Sequence, residues 1–218
     1  METILKFLKA LGKNNNREWF EKNKGKYLEA KNQFDLFVSE LLKELTAIDS
    51  SLIGLDQKKL TFRIYRDVRF SKDKSPYKKN FGAAFSGNGK GLGRPGYYLH
   101  IEPGNKSFVA GGLFMPETEK LSKVRQEIDY NGDRLEKIIS GKSFKKYFKK
   151  FYDEDALKTT PKGYSKDHKH NEWLKLRSFI VSHQFKDADV VKKTFTKNAL
   201  KAYQALKPLN AFLTEAIS

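Results

Sequence analysis

Three short strand-like runs in the middle of the chain constrain the fold more than any other feature. They cover residues 81–85, 97–102 and 107–114, and the turn residues Pro103, Gly104 and Asn105 predict a hairpin between the last two. A further run over residues 60–66 alternates apolar and polar side chains, which also predicts a strand. Most connections between these runs are too short for helical crossovers, so we expect one mainly antiparallel sheet.

Helical patterns flank this central region on both sides. Asn15 and Glu18 resemble a capping box, and the helical spacing of apolar residues then continues to Ile48. After Pro116 the pattern is again helical to the end of the chain. We therefore predict an α+β fold in which N-terminal and C-terminal helices flank the sheet. At 218 residues, we expect a single domain over residues 1–218.

Composition excludes several classes of site. The chain has no cysteine, so disulfides, thiolate nucleophiles and cysteine-ligated metals are impossible. Lys6 and Lys9 interrupt the apolar N-terminal stretch, which predicts an amphipathic helix rather than a signal peptide. We see no run of the roughly 20 apolar residues that a transmembrane segment needs, and we expect a cytoplasmic protein. The sequence predicts no metal site, and it does not indicate which cofactor or oligomeric state the protein has.

The positive charge is concentrated in two parts of the chain. The net charge is +17, and residues 57–96 hold eleven Lys/Arg against two Asp/Glu. Residues 137–218 hold eighteen Lys/Arg against eight Asp/Glu, whereas the remaining segments are close to neutral. This distribution predicts a cationic face that attracts phosphates, nucleic acid or an acidic membrane surface. The alternative is a lysine-rich solubilising surface.

Arg66 stands out because it occupies an apolar position of the predicted strand. Leu60 and Ile64 share its face, and an arginine is rarely buried without a partner. Three interpretations remain open: a bulge turns Arg66 outward, a carboxylate pairs with it, or it lines a cavity that receives an anion. Ser75 and Pro76 favour a turn that folds nearby cations back towards Arg66, which supports the third interpretation. These cations are Arg69, Lys72, Lys74 and Lys78.

Four motifs together resemble a known family. They are RIYRDVRFSKDKSPYKKNFG from Arg63, NNNREWFEKNK from Asn14, PGYYLHIEPG from Pro95 and TPKGYSKDH from Thr160. The chain resembles, over nearly its whole length, a widespread bacterial and fungal conserved domain family of unknown function. The resemblance implies one domain and implies no established activity. The family often has a proline after the histidine that corresponds to His168, whereas Lys169 and His170 follow it here.

Glycine-rich stretches do not predict a nucleotide fold. GLGRPG from Gly91 matches G-x-G-x-x-G, but a strand-like run follows it where a dinucleotide fingerprint requires a helix. GKS from Gly141 lacks the first glycine of a P-loop. We instead predict that the loop over residues 87–96 is mobile without ligand, because five of its ten residues are glycine. Lys90 and Arg94 could then close over an anion.

The histidines and one aromatic segment each allow a structural and a functional interpretation. His100 shares a strand face with Tyr98 and Glu102, where it is either a hydrogen-bonded sheet residue or a proton carrier. The DHKH segment ending at His170 is interpreted as a polar loop rather than a metal site. In FKKYFKKFY, residues 144–152, the aromatic residues have helical spacing, which predicts a core helix with a solvated lysine face. Contact with nucleic acid is the second interpretation and contact with an acidic membrane surface is the third.

Two functional hypotheses follow. The first is a binding module for a phosphate-bearing ligand, either nucleic acid or a nucleotide. The second is a metal-independent enzyme acting on an anionic substrate, with Asp67 or His168 as acid or base. PKGY from Pro161 is compatible either with a plain turn or with a loop that brings side chains to the ligand. The predicted anion-binding residues are Arg66, Arg69, Lys74, Tyr77, Lys78, Lys162, Tyr164 and His168.

Overall fold

The computed structural model describes residues 1–87 and 93–218 and confirms an α+β fold. The first helices are α1 (Glu2–Lys13), α2 (Arg17–Lys22) and α3 (Lys24–Ile48), followed by short 3-10 turns at Ser50–Leu52 and Gln57–Lys59. The strands are β1 (Phe81–Phe85), β2 (Gly96–Ile101), β3 (Ser107–Leu113) and β4 (Phe179–Phe185). The remaining helices are α4 (Thr118–Ser140), α5 (Lys142–Tyr147), α6 (Asn171–Leu174), α7 (Asp187–Val190) and α8 (Phe195–Ala216).

Within the described residues, the four strands form one antiparallel sheet in the order β1-β2-β3-β4. The predicted runs at 81–85, 97–102 and 107–114 coincide with β1, β2 and β3 to within one residue at each end. Because neighbours in sequence pair directly, the turn after β2 closes a hairpin, with Asn105 at a positive φ of 61°. This is the backbone conformation that asparagine adopts more readily than most residues.

The sheet carries the core on one face. Alternate residues, such as Leu99 and Val109, are fully buried, and α8 lies against β3 at Gly111. A Cβ atom at Gly111 would overlap Leu206 of α8, so the glycine permits this close approach. Buried residues from α1 to α8 form one continuous hydrophobic cluster. This continuity supports our proposal of a single domain, because separate domains have separate cores.

Two strand predictions need correction. Residues 60–66 form no regular strand; they run beside β1 and meet it at a single bridge between Thr61 and Ala83. A second bridge joins Tyr65 to Tyr77, so the chain turns back on itself here instead of continuing along the sheet. In addition, β4 lies in the region after Pro116 that the sequence predicted to be helical throughout. The sheet therefore gains its fourth strand from the C-terminal half.

Local helix predictions are also partly wrong. The cap of α2 is Asn16, whose side chain accepts a hydrogen bond from the Trp19 backbone N–H, rather than Asn15. The helix predicted over residues 144–152 ends at Tyr147, although Phe148 and Phe151 beyond it are still buried in the core.

Two further predictions concern the glycine-rich loop and the absence of a transmembrane segment. The loop over residues 87–96, predicted to be mobile, lies partly outside the described residues, since residues 88–92 are not among them. In the parts of the chain that are described, no helix combines the length and the apolar character needed to cross a membrane.

Candidate ligand-binding site

Arg66 is bound within its own loop. Its Nη1 atom lies 2.6 Å from Asp73 Oδ2 and donates to Ser75 Oγ at 3.0 Å and to the Ser75 carbonyl at 3.1 Å. Its Nη2 atom donates to Ser71 Oγ at 3.1 Å. Hydrogen bonds from Ser75 and from Arg66 lower the pKa of the Asp73 carboxyl. This geometry matches the interpretation in which a carboxylate pairs with Arg66, and it makes the guanidinium a cross-link between both sides of the loop.

The neighbouring predicted cations also contact this loop. Arg69 forms a two-point contact with Asp67, with Nη2 to Oδ2 at 2.6 Å and Nε to Oδ1 at 3.0 Å, and it lowers the pKa of Asp67. Lys74 donates to the carbonyl of Val68 at 3.1 Å. These cations therefore have partners within residues 66–75, which we call the basic loop.

Tyr77 anchors the base of the basic loop. Its ring is buried and stacks on Phe20, with ring centroids 4.0 Å apart. The Asn15 side chain bonds both backbone groups of Tyr77, accepting from its N–H at 3.1 Å and donating to its carbonyl at 2.9 Å. Burial raises the pKa of the Tyr77 phenol. Tyr77 thus fixes where the loop ends, and its ring is buried away from solvent.

Lys78 lies between the basic loop and the face of the sheet opposite the core. Its Nζ atom lies 5.5 Å from the centroid of the Phe62 ring, a cation–π distance. Phe62 in turn meets the ring of Tyr98 on β2, with centroids 6.1 Å apart. A side chain that the sequence predicted to be a phosphate ligand therefore lies next to an aromatic residue that borders the sheet.

The face of the sheet opposite the core forms a cleft of about 460 Å³. Ala84, Tyr98, Ala110 and Ser182 succeed one another across the four strands, so two alanines flank the tyrosine. The small side chains leave space above the sheet, and aromatic rings form the sides of the cleft. The aromatic lining includes Phe62, Tyr98, Phe108 and Phe114, and the polar lining includes Ser86 and Arg94.

A chain of hydrogen-bonding groups continues from Tyr98 along β2. The Nδ1 atom of His100 lies 3.3 Å from both the Tyr98 hydroxyl and the Asn80 amide nitrogen. An amide nitrogen can only donate, so Nδ1 is the acceptor and the Nε2–H group of His100 donates to Glu102 Oε2 at 2.9 Å. The carboxylate thus orients the imidazole, and the lone pair of Nδ1 faces the phenol.

The surroundings of His100 and Tyr98 set their charge states. Burial lowers the pKa of His100, while the adjacent Glu102 carboxylate acts in the opposite direction. Burial and the charge of Glu102 raise the pKa of Tyr98 to about 12. Both rings are consequently neutral near pH 7, and the neutral imidazole is the form that accepts a proton. Sequence analysis named this trio but did not include it among the predicted binding residues.

A family model for a conserved hypothetical protein family, DUF2461, matches residues 3–212. The chain belongs to this family. The resemblance found in the sequence motifs is thereby confirmed at the level of the family. Neither the curated proteins nor the solved structures contain a match to the chain.

In this family member, the segment ending in DHKH is attached to α4. The backbone N–H of His170 donates to Nδ1 of His168 at 3.0 Å, which leaves the Nε2–H of His168 to donate to Asp129 at 3.1 Å. Tyr164 is partly buried beside the same helix. Burial raises the pKa of its phenol most, and the nearby charge of Asp129 raises it further. Lys162 is exposed. His168 therefore contacts α4 and Tyr164 lies close to it, whereas Arg66 contacts its own loop.

One group of residues near α4 has the spacing of a metal site. Asp133, Glu136 and His170 could each offer one ligand atom. The ammonium group of Lys169 already lies 2.6 Å from Asp133 and 2.9 Å from Glu136. The His170 ring also packs directly over Gly132, where a Cβ atom would overlap it. A lysine thus supplies the positive charge that balances these carboxylates, which favours a structural role for the DHKH segment.

The cleft is the part of the site that sequence analysis missed. Its rings come from the segment before β1, from β2 and β3, and from the residue directly after β3, so they meet only after the sheet has formed. The sequence does contain one local signal. Tyr98, His100 and Glu102 place polar groups on one face of the strand, and the residues between them are apolar. Small residues at the paired positions Ala84 and Ala110 complete that signal.

Proposed function

We propose that the cleft on the open sheet face binds a small ligand with a planar ring and an anionic group, and that a nucleotide is the leading candidate. The observation that carries this proposal is an aromatic-sided cleft of about 460 Å³ with Arg94 in its lining. Known small-molecule sites fall between about 300 and 1,000 Å³ and combine apolar walls with a few polar groups. The cleft has both properties.

The aromatic rings supply the surface for the planar part of the ligand. The rings of Tyr98 and Phe108 lie 5.8 Å apart, and Phe62 meets Tyr98 from the other side. Planar rings prefer offset or edge-to-face contacts with such side chains, and each contact contributes about 0.5–1.5 kcal/mol beyond its buried area. A nucleobase fits this chemistry, since it is flat and carries polar edges.

Two cations lie near opposite ends of β1: Arg94 lines the cleft, and Lys78 lies next to Phe62, which also lines it. Lys78 precedes the strand and lies over Phe62, whereas Arg94 approaches Gly87 beyond the end of the strand, with its Nη1 atom 3.7 Å from where a Cβ of Gly87 would lie. We assign the anionic group of the ligand to one of these two cations. A charge-assisted hydrogen bond from arginine or lysine to phosphate is about twice as strong as a neutral one.

The wider anion site predicted from sequence is retained as a separate proposal. It rests on the density of cations around Arg66, whose guanidinium now has internal partners. If phosphate or a nucleotide competes for Arg66, Arg66→Ala abolishes most of the thermal shift that the ligand produces. Lys149→Ala is the matched control, because it removes one positive charge from an exposed position after α5. Equal losses in the two variants would indicate diffuse charge.

A thermal-shift panel tests the proposal for the cleft. The probes are inorganic phosphate, adenosine, and the mono- and triphosphates of adenosine and guanosine. A ligand at about 100 times its Kd adds about 2.7 kcal/mol of stability, a rise in Tm of about 5 to 10 °C for a chain of this size. Adenosine alone should give a smaller shift than its phosphates, because it lacks the anionic group.

A cleft-filling variant makes the test specific. Ala110→Trp places a large ring on the open face and should abolish the shift. Ala47→Trp adds the same ring at an exposed position of α3 and should retain it. Loss of the shift in both variants, or in neither, would contradict binding in the cleft.

Enzymatic activity on the same ligand is a second candidate function, favoured by the orientation of His100. A carboxylate, an imidazole and a hydroxyl in hydrogen-bonding sequence form the arrangement of a general base and its orienting group. His100 joins Asp67 and His168 as a candidate base, and His100 contacts Tyr98, a residue that lines the cleft. Slow conversion of a bound nucleotide that His100→Gln abolishes, with binding retained, is the expected result.

A further inference from the structure

The basic loop presents an aromatic side chain to solvent. Phe70 is 96 % exposed, the highest value among the exposed large apolar residues of the described chain. A fully exposed phenylalanine contributes nothing to the core, and leaving it in water forgoes the stabilisation that burial provides. The ring is therefore a feature of the surface that the packing of this protein does not explain.

The loop that carries Phe70 is internally cross-linked. Arg66 joins Ser71 to Asp73 and Ser75, and Lys74 bonds the carbonyl of Val68, so hydrogen bonds hold both sides of the ring's attachment point. At the base of the loop, the Arg66 N–H donates to the Pro76 carbonyl at 2.9 Å. The exposed ring thus stands on an ordered support, which reduces the entropy that a partner must remove on binding.

Positive charge surrounds the exposed ring. The Arg69 guanidinium lies 5.8 Å from the centroid of the Phe70 ring, and Lys72 is exposed two residues further along. The charge of Arg63 also acts on Asp67, the carboxylate that pairs with Arg69. From Arg63 to Lys79 the chain holds seven basic and two acidic residues. An aromatic ring among cations complements a partner that carries both flat faces and negative charge.

We infer that the basic loop binds single-stranded nucleic acid, with one base stacked on Phe70 and adjacent phosphates held by Arg69 and Lys72. Stacking on an aromatic side chain combined with backbone neutralisation is the usual chemistry of single-strand binding. The site is distinct from the cleft, since it uses none of the cleft residues. An anionic membrane is disfavoured because one phenylalanine buries far less apolar surface than a myristoyl chain, which alone gives only marginal membrane binding.

Fluorescence anisotropy with a labelled 15-nucleotide oligo(dT) tests the proposal. Phe70→Ala should raise the Kd about 5- to 150-fold, the range that corresponds to the roughly 1–3 kcal/mol that stacking of one base supplies. Tyr130→Ala is the matched control, because it removes another aromatic ring, 73 % exposed, from α4. This control should leave the Kd unchanged.

A second comparison examines the phosphate contact. Lys72→Gln should lower the slope of log Kd against log salt concentration by about 0.7, the value for one phosphate contact on a single strand. Lys149→Gln, which removes an equal charge elsewhere, should leave the slope unchanged. An oligo(dT) affinity that is the same in wild type and Phe70→Ala overturns the proposal. So does Phe70-dependent binding to phosphatidylserine vesicles without oligo(dT) binding, which would assign the loop to a membrane.

Discussion

The hydroxyl of Tyr98 lies against Gly82 on the neighbouring strand, where an added Cβ atom would stand 2.6 Å from the phenol oxygen. Gly82 pairs with His100, and the Nδ1 atom of His100 accepts a hydrogen bond from the Tyr98 hydroxyl. The absence of a side chain at Gly82 therefore sets the position of the Tyr98 ring, and through it both the cleft and the contact with His100.

Gly82→Ala should displace the Tyr98 ring and break its hydrogen bond to His100. The hydroxyl is the far end of a side chain that can move, so we expect a loss of only about 1 kcal/mol of unfolding free energy. The effect on ligand binding should be larger, so that most of the rise in Tm produced by a cleft ligand is lost. Gly12→Ala is the control, because its Cβ would meet no atom within 4 Å in α1 and the better helix former should raise stability slightly. Unchanged ligand shifts in Gly82→Ala would contradict this role of Gly82.

Tyr97→Phe should destabilise the protein by about 1.5–3 kcal/mol at pH 7, the usual contribution of a hydrogen bond to a charged group. Its hydroxyl donates to Asp49 at 2.8 Å and thereby ties the end of α3 to β2. Burial opposes ionisation of Asp49, yet hydrogen bonds from Ser51 and Tyr97 outweigh it and lower the pKa of the carboxyl.

The pH dependence of this variant gives an independent check. A carboxyl with a lowered folded pKa stabilises the protein above its ordinary pKa, and this contribution is lost as the pH falls through the folded value. Chemical denaturation at pH 7 and pH 3 should therefore give a smaller difference between wild type and Tyr97→Phe at the lower pH. A difference that grows on acidification would be inconsistent with an ionised Asp49 as the partner.

His100 should make stability decrease on mild acidification. Burial lowers the pKa of His100 in the folded protein, so the unfolded chain binds the proton more readily. Unfolding free energy then rises with pH until the ordinary histidine pKa of about 6.5 is passed, with a slope of at most about 1.4 kcal/mol per pH unit for one group. Urea denaturation between pH 5 and pH 8 should show a flatter profile for His100→Gln. Identical profiles for the two proteins would exclude His100 as the source.

Gly132→Ala should destabilise the protein although alanine normally favours a helix. The new Cβ would overlap the His170 ring, and that ring is only 8 % exposed and stacks on Trp173. Expelling His170 would release the DHKH segment from α4 at a cost of about 1–3 kcal/mol, the range for overpacking. Hydrogen exchange should increase for residues 165–171 and remain unchanged in β2. A stabilised variant would show that the ring moves aside without cost.

The strands β1, β2 and β3 were predictable because their signals are local. Alternation along a strand and the Pro103-Gly104-Asn105 turn depend on neighbouring residues alone. The run at 60–66 alternates in the same way, but its partners lie outside any regular ladder, so the prediction of a strand was wrong. In β4, buried Phe179, Val181 and Phe185 alternate too, yet this seven-residue pattern is short and lies among helical patterns.

The fold class, the family motifs and the concentration of cations around Arg66 are all legible in the order of the residues. The contacts that each of these groups makes depend on how the chain folds. Asp73 contacts Arg66 because the basic loop closes on itself, and Phe62, Tyr98 and Phe108 share one cleft because their segments are adjacent on the open face of the sheet. Periodicity and turn chemistry act over a few residues, whereas strand pairing and loop closure bring together groups far apart in the chain, and no local pattern specifies those pairings.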